Sequence, residues 1–267
     1  MPRARSARTP PAGARIQSVA RAGAILDALA AAGEIGLAEL SRRVGLGKST
    51  TYYLAESLVG LGLAERTPDG HRYRLGLKNL EFGRAVQRRM SIAAIARPSL
   101  IALCARTKET VNLAVPYLLD ALMVESLEGA YGVRATAYAG TRAAYHSTAC
   151  GKALLAAFDP ATRRAIYAAR PLTAATPRTI TDVAVLERQI AEIQRAGYAF
   201  DLEENELGAH CVAAAIVDGF AQPVGAISVS GPAQRLPRRT LADIARLLVA
   251  ETRAISATLV GGATASG

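Results

Sequence analysis

The sequence contains a short run of hydroxyl-bearing and basic residues that could bind a polyanion. In Lys48-Ser-Thr-Thr-Tyr-Tyr-Leu, helical spacing places Ser49, Tyr52 and Tyr53 on one outward stripe, with Glu56 one turn further on. Their hydroxyl groups can donate hydrogen bonds to phosphates or to base edges, and Lys48 lies at the start of the same helix. The alternative is a solvated helix face that binds another protein.

The elements around this run are typical of a winged helix-turn-helix. Apolar spacing predicts a first helix from Ile16 to Gly33, a short second helix that ends at Gly45, and a third helix from Lys48. The buried side of the third helix is predicted to contain Leu54, Leu58 and Leu61, together with Thr50 and Thr51. Pro68-Asp-Gly then predicts the turn of a basic hairpin, the wing.

The charge distribution favours nucleic acid as the partner of this part of the chain. Residues 1–90 contain 15 Lys and Arg against 7 Asp and Glu, a net charge of +8, whereas the remainder has 17 against 15, a net charge of +2. A basic segment can also meet membrane lipid or maintain solubility. Arg42 and Arg43 add positive charge in the second helix. We assign to the DNA interface Arg21, Lys48, Ser49, Thr51, Tyr52, Tyr53, Arg72 and Arg74.

A second group of residues could bind a small anion. In His146-Ser-Thr-Ala-Cys-Gly-Lys-Ala-Leu-Leu, Ser147 or Thr148 can cap a helix whose free N–H groups would suit a carboxylate. His146 and Lys152 could add positive charge. The alternative is an ordinary capped helix with a histidine that is already hydrogen bonded.

An acidic segment precedes a strand that is predicted to be buried. Asp201, Glu203, Glu204 and Glu206 fall within a few residues of one another, so they could hold a cation or orient a ligand. A solvated acidic loop is the competing interpretation.

Cysteine and histidine do not assemble a convincing catalytic or metal site. Cys150 follows His146 by four residues and Cys211 directly follows His210, but neither pair has a known zinc spacing, and a cysteine nucleophile also needs a base and an oxyanion site. We therefore predict no catalytic residue, no metal and no cofactor. An enzyme that uses Cys150 and His146 stays the alternative, beside a DNA-binding architectural protein without sequence preference. Few cysteines, odd in number, fit a reducing compartment.

The organisation along the chain is that of an α+β protein with two domains. Residues 1–15 are predicted to be a disordered basic arm, 16–76 the winged helix-turn-helix, 77–91 a linker helix, 92–260 an α/β domain, and 261–267 a disordered tail. In the α/β domain, strands are predicted at 111–117, 119–127, 133–138, 211–217 and 224–230, and helices at 100–106, 147–157, 160–168, 182–196 and 239–259. No apolar run could span a bilayer, and the start lacks a secretory signal, so we expect a cytoplasmic protein without membrane contact.

From about Gln17 to Val260 the chain resembles the IclR family of bacterial transcription regulators. In the first half, the similar segments are Ser18-Val-Ala-Arg-Ala-Gly-Ala-Ile-Leu, Leu37-Ala-Glu-Leu-Ser-Arg-Arg-Val-Gly-Leu-Gly-Lys-Ser-Thr and Arg72-Tyr-Arg-Leu-Gly. In the second half, they are Glu109-Thr-Val-Asn-Leu-Ala, His146-Ser-Thr-Ala-Cys-Gly-Lys-Ala-Leu-Leu-Ala and the segment from Gly197 to Ala214. Their order and spacing also agree with the family.

The resemblance implies a sensor of a small molecule that controls operator binding. It implies a GAF-like effector domain, a homodimer or dimer of dimers on double-stranded operator DNA, and an effector that is a small organic acid, often aromatic. Effector binding would reposition the paired winged helices through the linker helix, giving repression or activation according to the state that the effector favours. By position in the family motifs, the effector-contacting residues are Ala149, Cys150, Asp201, Cys211 and Ser228.

The sequence departs from the family pattern in two places. Tyr53 stands where members commonly have an arginine in the recognition helix, so a bidentate contact with guanine is not available there. The usual proline before the histidine is also replaced, which gives Ala144-Tyr145-His146. We therefore add Tyr145 and His146 to the predicted effector site, where the phenol would reshape the rim of the pocket.

Overall fold

The computed structural model describes residues 16–89, 91–135 and 138–264. They form two compact units, one that ends at Arg89 and one that begins after residue 90. The predicted basic arm, residues 1–15, lies outside the described residues. Within the ranges given above, no helix combines the length and the apolar character needed to cross a membrane.

The first unit has the predicted order of helices followed by a hairpin. Its helices are α1 (Gln17–Ala32), α2 (Leu37–Val44), α3 (Lys48–Gly60) and α4 (Lys78–Arg89). Its strands are β1 (Ile35–Gly36), β2 (Ala64–Arg66) and β3 (Arg72–Leu75), an antiparallel sheet in the order β1-β3-β2. The hairpin of β2 and β3 is confirmed, whereas β1 is too short to leave a pattern in the sequence. Helix α4 occupies most of the predicted linker helix, 77–91.

A glycine turn sets the angle between α2 and α3. Gly45 caps α2 in the left-handed conformation, with φ of 66°. This conformation is unfavourable for a residue that has a Cβ atom. The N–H of Leu46 then donates to the carbonyl of Ser41 at 3.1 Å, and α3 begins directly after Gly47. Only Leu46 and Gly47 therefore separate the cap of α2 from the first residue of α3.

The buried side of α3 differs from the prediction. Thr51, Ala55 and Leu58 are its buried residues, at the spacing i, i+4, i+7. Leu61 is 56% exposed because its position, at 100° per residue, lies at the edge of the stripe that Thr51, Ala55 and Leu58 define. Thr50 is also exposed rather than buried. The core of this unit contains Ile25, Leu29, Ile35, Leu40, Ala55, Leu58, Ala64 and Tyr73.

The second unit is a six-stranded antiparallel sheet covered by helices. Its strands are β4 (Thr110–Tyr117), β5 (Asp120–Leu127), β6 (Arg142–Ala144), β7 (Ala199–Leu202), β8 (Ala209–Val217) and β9 (Pro223–Pro232), in the order β6-β5-β4-β9-β8-β7. Its helices are α5 (Ser91–Thr107), α6 (Ala149–Ala157), α7 (Pro160–Ala169), α8 (Val183–Ala196) and α9 (Arg238–Thr264). The mixed α+β class is confirmed.

Three segments of the second unit differ from the prediction. Helix α5 begins at Ser91 and continues through Pro98. Pro98 has no N–H to donate to the carbonyl of Ala94, four residues earlier, but Ala94 is exposed, so water can be the partner of that carbonyl. Residues 133–135 and 138 are not in a strand, because the carbonyls of Val133 and Ala135 accept bonds from side chains instead of from a neighbouring strand. Residues 136 and 137 lie outside the described ranges. Helix α9 continues to Thr264, past the predicted boundary of the disordered tail.

The two faces of the large sheet bury different kinds of side chain. One face presents aliphatic residues such as Val111, Leu113 and Ile227 to the helices α5 and α9. The opposite face presents mainly small residues, among them Ala114, Ala213 and Ala226, and α6 packs on it. Because side chains alternate between the faces of a strand, the small residues allow α6 to approach the sheet closely.

Gly151 of α6 lies against the backbone at the end of β6, and we expect it to tolerate no side chain. A Cβ atom there would lie 2.4 Å from the carbonyl oxygen of Ala144 and 2.5 Å from the Cα of Tyr145, both backbone atoms that cannot rotate away. Gly151→Ala should therefore destabilise the protein by about 1–3 kcal/mol, measured by urea unfolding. The control Gly83→Ala in α4 meets open space and should not destabilise, because alanine is the better helix former. Equal stability of both variants would contradict this account of the packing.

Candidate functional site

The outward face of α3 presents the predicted hydroxyl groups to solvent. Tyr53 is 70% exposed and Tyr52 is 38% exposed, and their rings meet edge to face with centroids 5.6 Å apart. Lys48 and Ser49 are exposed in the first turn of the same helix. The arrangement leaves hydroxyl donors and an ammonium group available to one partner surface.

Thr51 was wrongly assigned to this surface. Its side chain is fully buried, and its hydroxyl donates to the carbonyl of Gly47 at 3.0 Å. A residue four positions before the buried Ala55 faces the same side of the helix, so Thr51 stabilises the start of α3 and cannot reach DNA.

The wing is fixed to α3 by a carboxylate that we had placed on the outward stripe. Glu56 Oε1 accepts hydrogen bonds from Arg66 Nη2 at 2.7 Å and from the hydroxyl of Tyr73 at 2.8 Å. The Arg66 guanidinium also lies 5.8 Å from the ring centroid of Tyr52 and 5.3 Å from that of Tyr73. Burial raises the pKa of Tyr73 to about 12, and the bond to Glu56 adds to the shift. Arg66 was missed because its partner is ten positions away in a different element.

The predicted arginines differ in how much charge they leave for DNA. Arg74 lies 3.4 Å from both Glu34 and Glu65, so acids within the unit partly neutralise it. The side chain of Arg72 is exposed at the start of β3. Across the described part of the chain, Arg72, Lys48 and the half-buried Arg21 are in no ion pair shorter than 4.0 Å. Among the residues assigned to the DNA interface, the positive charge that remains available is thus at the start of α3, on the wing and on α1.

In the second unit, a polar row crosses the small-residue face of the sheet. Asp201 on β7 lies opposite Cys211 on β8, which lies opposite Ser230 on β9. Ser228 lies two residues before Ser230, on the same side of β9. All four side chains therefore project from the sheet face on which α6 packs.

Helix α6 adds its first turn to this row. The hydroxyl of Thr148 caps the helix by accepting from the N–H of Gly151 at 3.1 Å. Within the described residues, the backbone N–H groups of Ala149 and Cys150 have no hydrogen-bond partner. The thiol of Cys150 lies 3.8 Å from the carbonyl oxygen of Ala226 on the sheet. The structure thus brings together Ala149, Cys150, Asp201, Cys211 and Ser228, with helix N–H groups at one side.

Polar residues of β4 and β5, which were not predicted from the sequence, extend the row. Asn112 Nδ2 lies 3.4 Å from the Ser228 hydroxyl and 3.5 Å from the Ser230 hydroxyl. Its Oδ1 accepts from Ser126 at 2.8 Å. A signal was present in Thr110-Val-Asn-Leu-Ala, since a strand buried on both faces is normally apolar at every position. Polar residues at alternate positions of such a strand indicate a polar site on one face.

Tyr145 and His146 do not belong to this group. His146 Nε2 lies 3.0 Å from the carbonyl oxygen of Thr173, and the ring of Tyr145 packs edge to face on Phe158. Both residues line a separate cavity of about 10 Å³ together with Asp120 and Arg170, and none of the other predicted effector residues lines it. The structure thus places both residues on the outer side of the α6 start, away from the polar row, and their assignment to the effector site stays a prediction.

The acidic segment is partly interior. Lys152 on α6 is fully buried, and its Nζ lies 2.5 Å from Glu204 Oε1. Asp201 is also buried, and its Oδ1 accepts from the N–H groups of Glu204 at 2.8 Å and Asn205 at 3.3 Å. Glu206, in contrast, is exposed. The interpretation of a solvated acidic loop is therefore wrong for Asp201 and Glu204.

The ionisation of these buried groups follows their surroundings. Burial raises the pKa of Asp201 to about 7, against the opposing effects of the Glu204 N–H and the Lys152 charge. Burial lowers the pKa of Lys152, against the opposing charge of Glu204. Burial also raises the pKa of Cys150 to about 12 and that of Cys211 further. The thiols are therefore protonated at neutral pH and form neutral walls, whereas a nucleophile would need a thiolate.

The described residues contain no group of three or more histidine, cysteine, aspartate or glutamate side chains arranged to hold a metal ion. What the second unit offers is a buried face with hydroxyl groups, an amide, helix N–H groups and one acid. These groups suit recognition of a small polar molecule by hydrogen bonds.

A winged helix-turn-helix joined to an α/β unit with a buried polar face defines a regulator of the ligand-responsive, DNA-binding class. The chain belongs to the IclR family of bacterial transcriptional regulators. The family's helix-turn-helix domain matches residues 18–68, and the family described as "Bacterial transcriptional regulator IclR C-terminal" matches residues 84–257. It is a transcription regulator rather than an enzyme, as are the relatives that it matches.

Similar proteins span nearly the whole chain. The HTH-type transcriptional regulator XynR of Escherichia coli is 33% identical over 91% of this chain and 97% of its own length. The crystal structure of the Thermotoga maritima IclR superposes with a TM-score of 0.71 at 31% identity, covering 91% of this chain and 98% of that one. An IclR homologue from Microbacterium hydrocarbonoxydans, solved with 4-hydroxybenzoate, superposes with a TM-score of 0.77 at 26% identity, covering 91% and 99%.

The buried pair of Lys152 and Glu204 leads to a prediction of stability. Lys152→Met should destabilise the protein by about 3–5 kcal/mol, because it leaves the Glu204 carboxylate buried without its partner. The double variant Lys152→Met, Glu204→Leu should recover most of this loss, because neither charge is then buried. Urea unfolding measures both effects.

An exposed pair in the same unit is the control. Arg246 and Asp243 on α9 are 75% and 61% exposed, so Arg246→Met should change the free energy of unfolding by less than about 1 kcal/mol. A double variant no more stable than Lys152→Met would show that the single substitution acts through packing and not through charge.

Proposed function

We propose that the chain is a sequence-specific operator-binding protein whose affinity for DNA changes when a small organic acid binds to its second unit. The exposed face of α3 carries the first part of the proposal. Tyr52, Tyr53 and Ser49 would contact base edges in the major groove, while Lys48 and Arg72 would contact phosphates on either side. Arg21 and Arg74 would add weaker phosphate contacts.

The effector would bind on the small-residue face of the sheet, at the start of α6. The free N–H groups of Ala149 and Cys150 lie at the positive end of the helix dipole, which favours a carboxylate. Asp201 would lie beside the carboxylate, and the hydroxyls of Ser228 and Ser230 would orient the rest of the molecule, with Cys150 and Cys211 as neutral walls. The homologue solved with 4-hydroxybenzoate supports an aromatic acid as one class to test.

A homo-oligomer, either a dimer or a dimer of dimers, would place two winged helices on a palindromic operator. The exposed apolar side chains of α4 support a second copy as partner: Leu80, Phe82 and Val86 are 58%, 53% and 60% exposed. Apolar exposure of this extent on one helix favours a protein interface. We propose 16–76 as the DNA-binding domain, 77–91 as the linker and 92–260 as the effector domain, in a cytoplasmic protein.

Substitutions in the first unit should separate sequence reading from phosphate contact. Arg72→Gln should weaken binding to all duplexes and reduce the slope of log K against log salt concentration by about 0.9, because one phosphate contact is lost. Tyr53→Phe should leave the slope unchanged and reduce only the preference for the operator over random DNA. Fluorescence anisotropy at several salt concentrations measures both. Equal losses on both kinds of DNA in both variants would contradict this division of roles.

A thermal-shift screen of aromatic and aliphatic carboxylic acids should identify the effector class. A bound acid should raise the melting temperature in a saturable way, because it binds only the folded state. Ser228→Ala and Asp201→Ala should each weaken this effect by tenfold or more in ligand concentration, whereas Thr258→Ala, exposed on α9, should not. Unchanged responses in the first two variants would place the effector elsewhere.

A further inference from the structure

The proposed effector site buries more acid than base. Among the described residues, its buried ionisable groups are Lys152, Asp201 and Glu204, which are 0%, 3% and 7% exposed, besides the protonated cysteines. The Lys152 ammonium lies against Glu204 Oε1 at 2.5 Å, so these two charges neutralise each other. Of these three groups, Asp201 is therefore the one whose charge has no ion-pair partner of its own.

The surroundings of Asp201 satisfy one of its oxygens and leave the other free. Oδ1 accepts from two backbone N–H groups of the segment that follows, those of Glu204 and Asn205. Oδ2 has no hydrogen-bond partner in the part of the chain that the structure describes. The charged or titratable groups that face Asp201 are Lys152 from α6, Cys211 from β8, and Glu204 from its own segment. None of them supplies a second positive charge.

An effector carboxylate cannot enter beside an ionised Asp201 without a large electrostatic cost. Two like charges in a buried site repel strongly, and the usual result is that one proton is bound between them. The Lys152 ammonium contacts Glu204 Oε1 at 2.5 Å, whereas within the described residues it forms no ion pair with Asp201. The other oxygen of Glu204, Oε2, is buried without a hydrogen-bond partner among those residues. Asp201 is therefore the better position for the proton.

We propose that Asp201 takes up one proton from solvent when the effector carboxylate binds, and that its Oδ2–H then donates a hydrogen bond to that carboxylate. This inference rests on the proposed function of the same site. It gives Asp201 a specificity role, because a protonated donor favours an anionic acceptor over a neutral amide. It also makes the regulator respond to the acid and to pH together.

The sign of the pH dependence follows from linkage. Burial already raises the pKa of Asp201 in the ligand-free protein to about 7. Below that pH the ligand-free protein already holds the proton, so effector affinity should not change with pH. Above it, each binding event must also bind a proton, so the affinity for an acid should fall by up to about tenfold per pH unit. Carboxylic acids themselves are ionised throughout this range.

Isothermal titration calorimetry of the full-length protein tests the proposal, with acetate and 4-hydroxybenzoate as probes at pH from about 6 to about 9. We expect uptake of nearly one proton per site near pH 8, measured in two buffers of different ionisation enthalpy, and weaker binding as the pH rises. Asp201→Asn keeps an oxygen for the two N–H groups and offers a permanent N–H donor. This variant should bind the acids with an affinity that no longer depends on pH and without proton uptake.

The outcomes separate this inference from the function on which it rests. Binding without proton uptake by the unsubstituted protein, or an unchanged pH dependence in Asp201→Asn, would overturn the role of Asp201 and leave the acid-binding site intact. Loss of binding in Asp201→Asn at every pH would also overturn it, because an ionised Asp201 would then be required. If neither acid binds at any pH, the proposal of a carboxylate effector fails, and this inference fails with it.

Discussion

The close packing of α6 on the large sheet is the constraint on which the second unit depends. It requires a residue without a side chain at Gly151, where backbone atoms lie within about 2.5 Å of a Cβ position, and it requires alanines on the sheet beneath. In this packing the Cys150 thiol lies 3.8 Å from the carbonyl oxygen of Ala226, and the first turn of the helix lies beside the polar row. The same small residues that permit the packing leave space for hydroxyl and amide groups beside it.

This packing has an electrostatic consequence. It carries the Lys152 side chain fully into the interior, where an isolated ammonium would be strongly destabilising, and Glu204 is its counter-ion. Two hydrogen bonds in turn hold the backbone of Glu204. The Thr179 hydroxyl donates to the Glu204 carbonyl at 2.5 Å, and the Glu204 N–H donates to Asp201 Oδ1. A segment that has the composition of a solvated loop is thereby turned into one wall of the site.

The sequence was informative where a pattern is local. Gly45 and Gly47 around the turn, the Pro68-Asp-Gly hairpin and the Thr148 cap each depend on a few adjacent residues, and each predicted element is present. It was uninformative where partners are distant or where a residue lies at the edge of a buried stripe. The pairing of Arg66 with Glu56 and the burial of Lys152 against Glu204 depend on the tertiary fold. Leu61 is exposed because the buried stripe of α3 is centred on other residues. The role of Asn112 could have been found from its place in a strand that is otherwise apolar.

In the proposed complex, the first unit would present DNA with a recognition surface of limited discriminating power. Arg66 lies beside Tyr52, but it is bound to Glu56, so its guanidinium is not free to read a guanine with two parallel bonds. Tyr53 likewise offers one hydroxyl, where an arginine would offer two parallel N–H donors. Since a bidentate pair contributes about 1–3 kcal/mol of discrimination, single hydroxyl contacts contribute less per base pair. Specificity in the proposed complex would therefore depend more on the spacing of two half-sites and on DNA shape than on any one side chain.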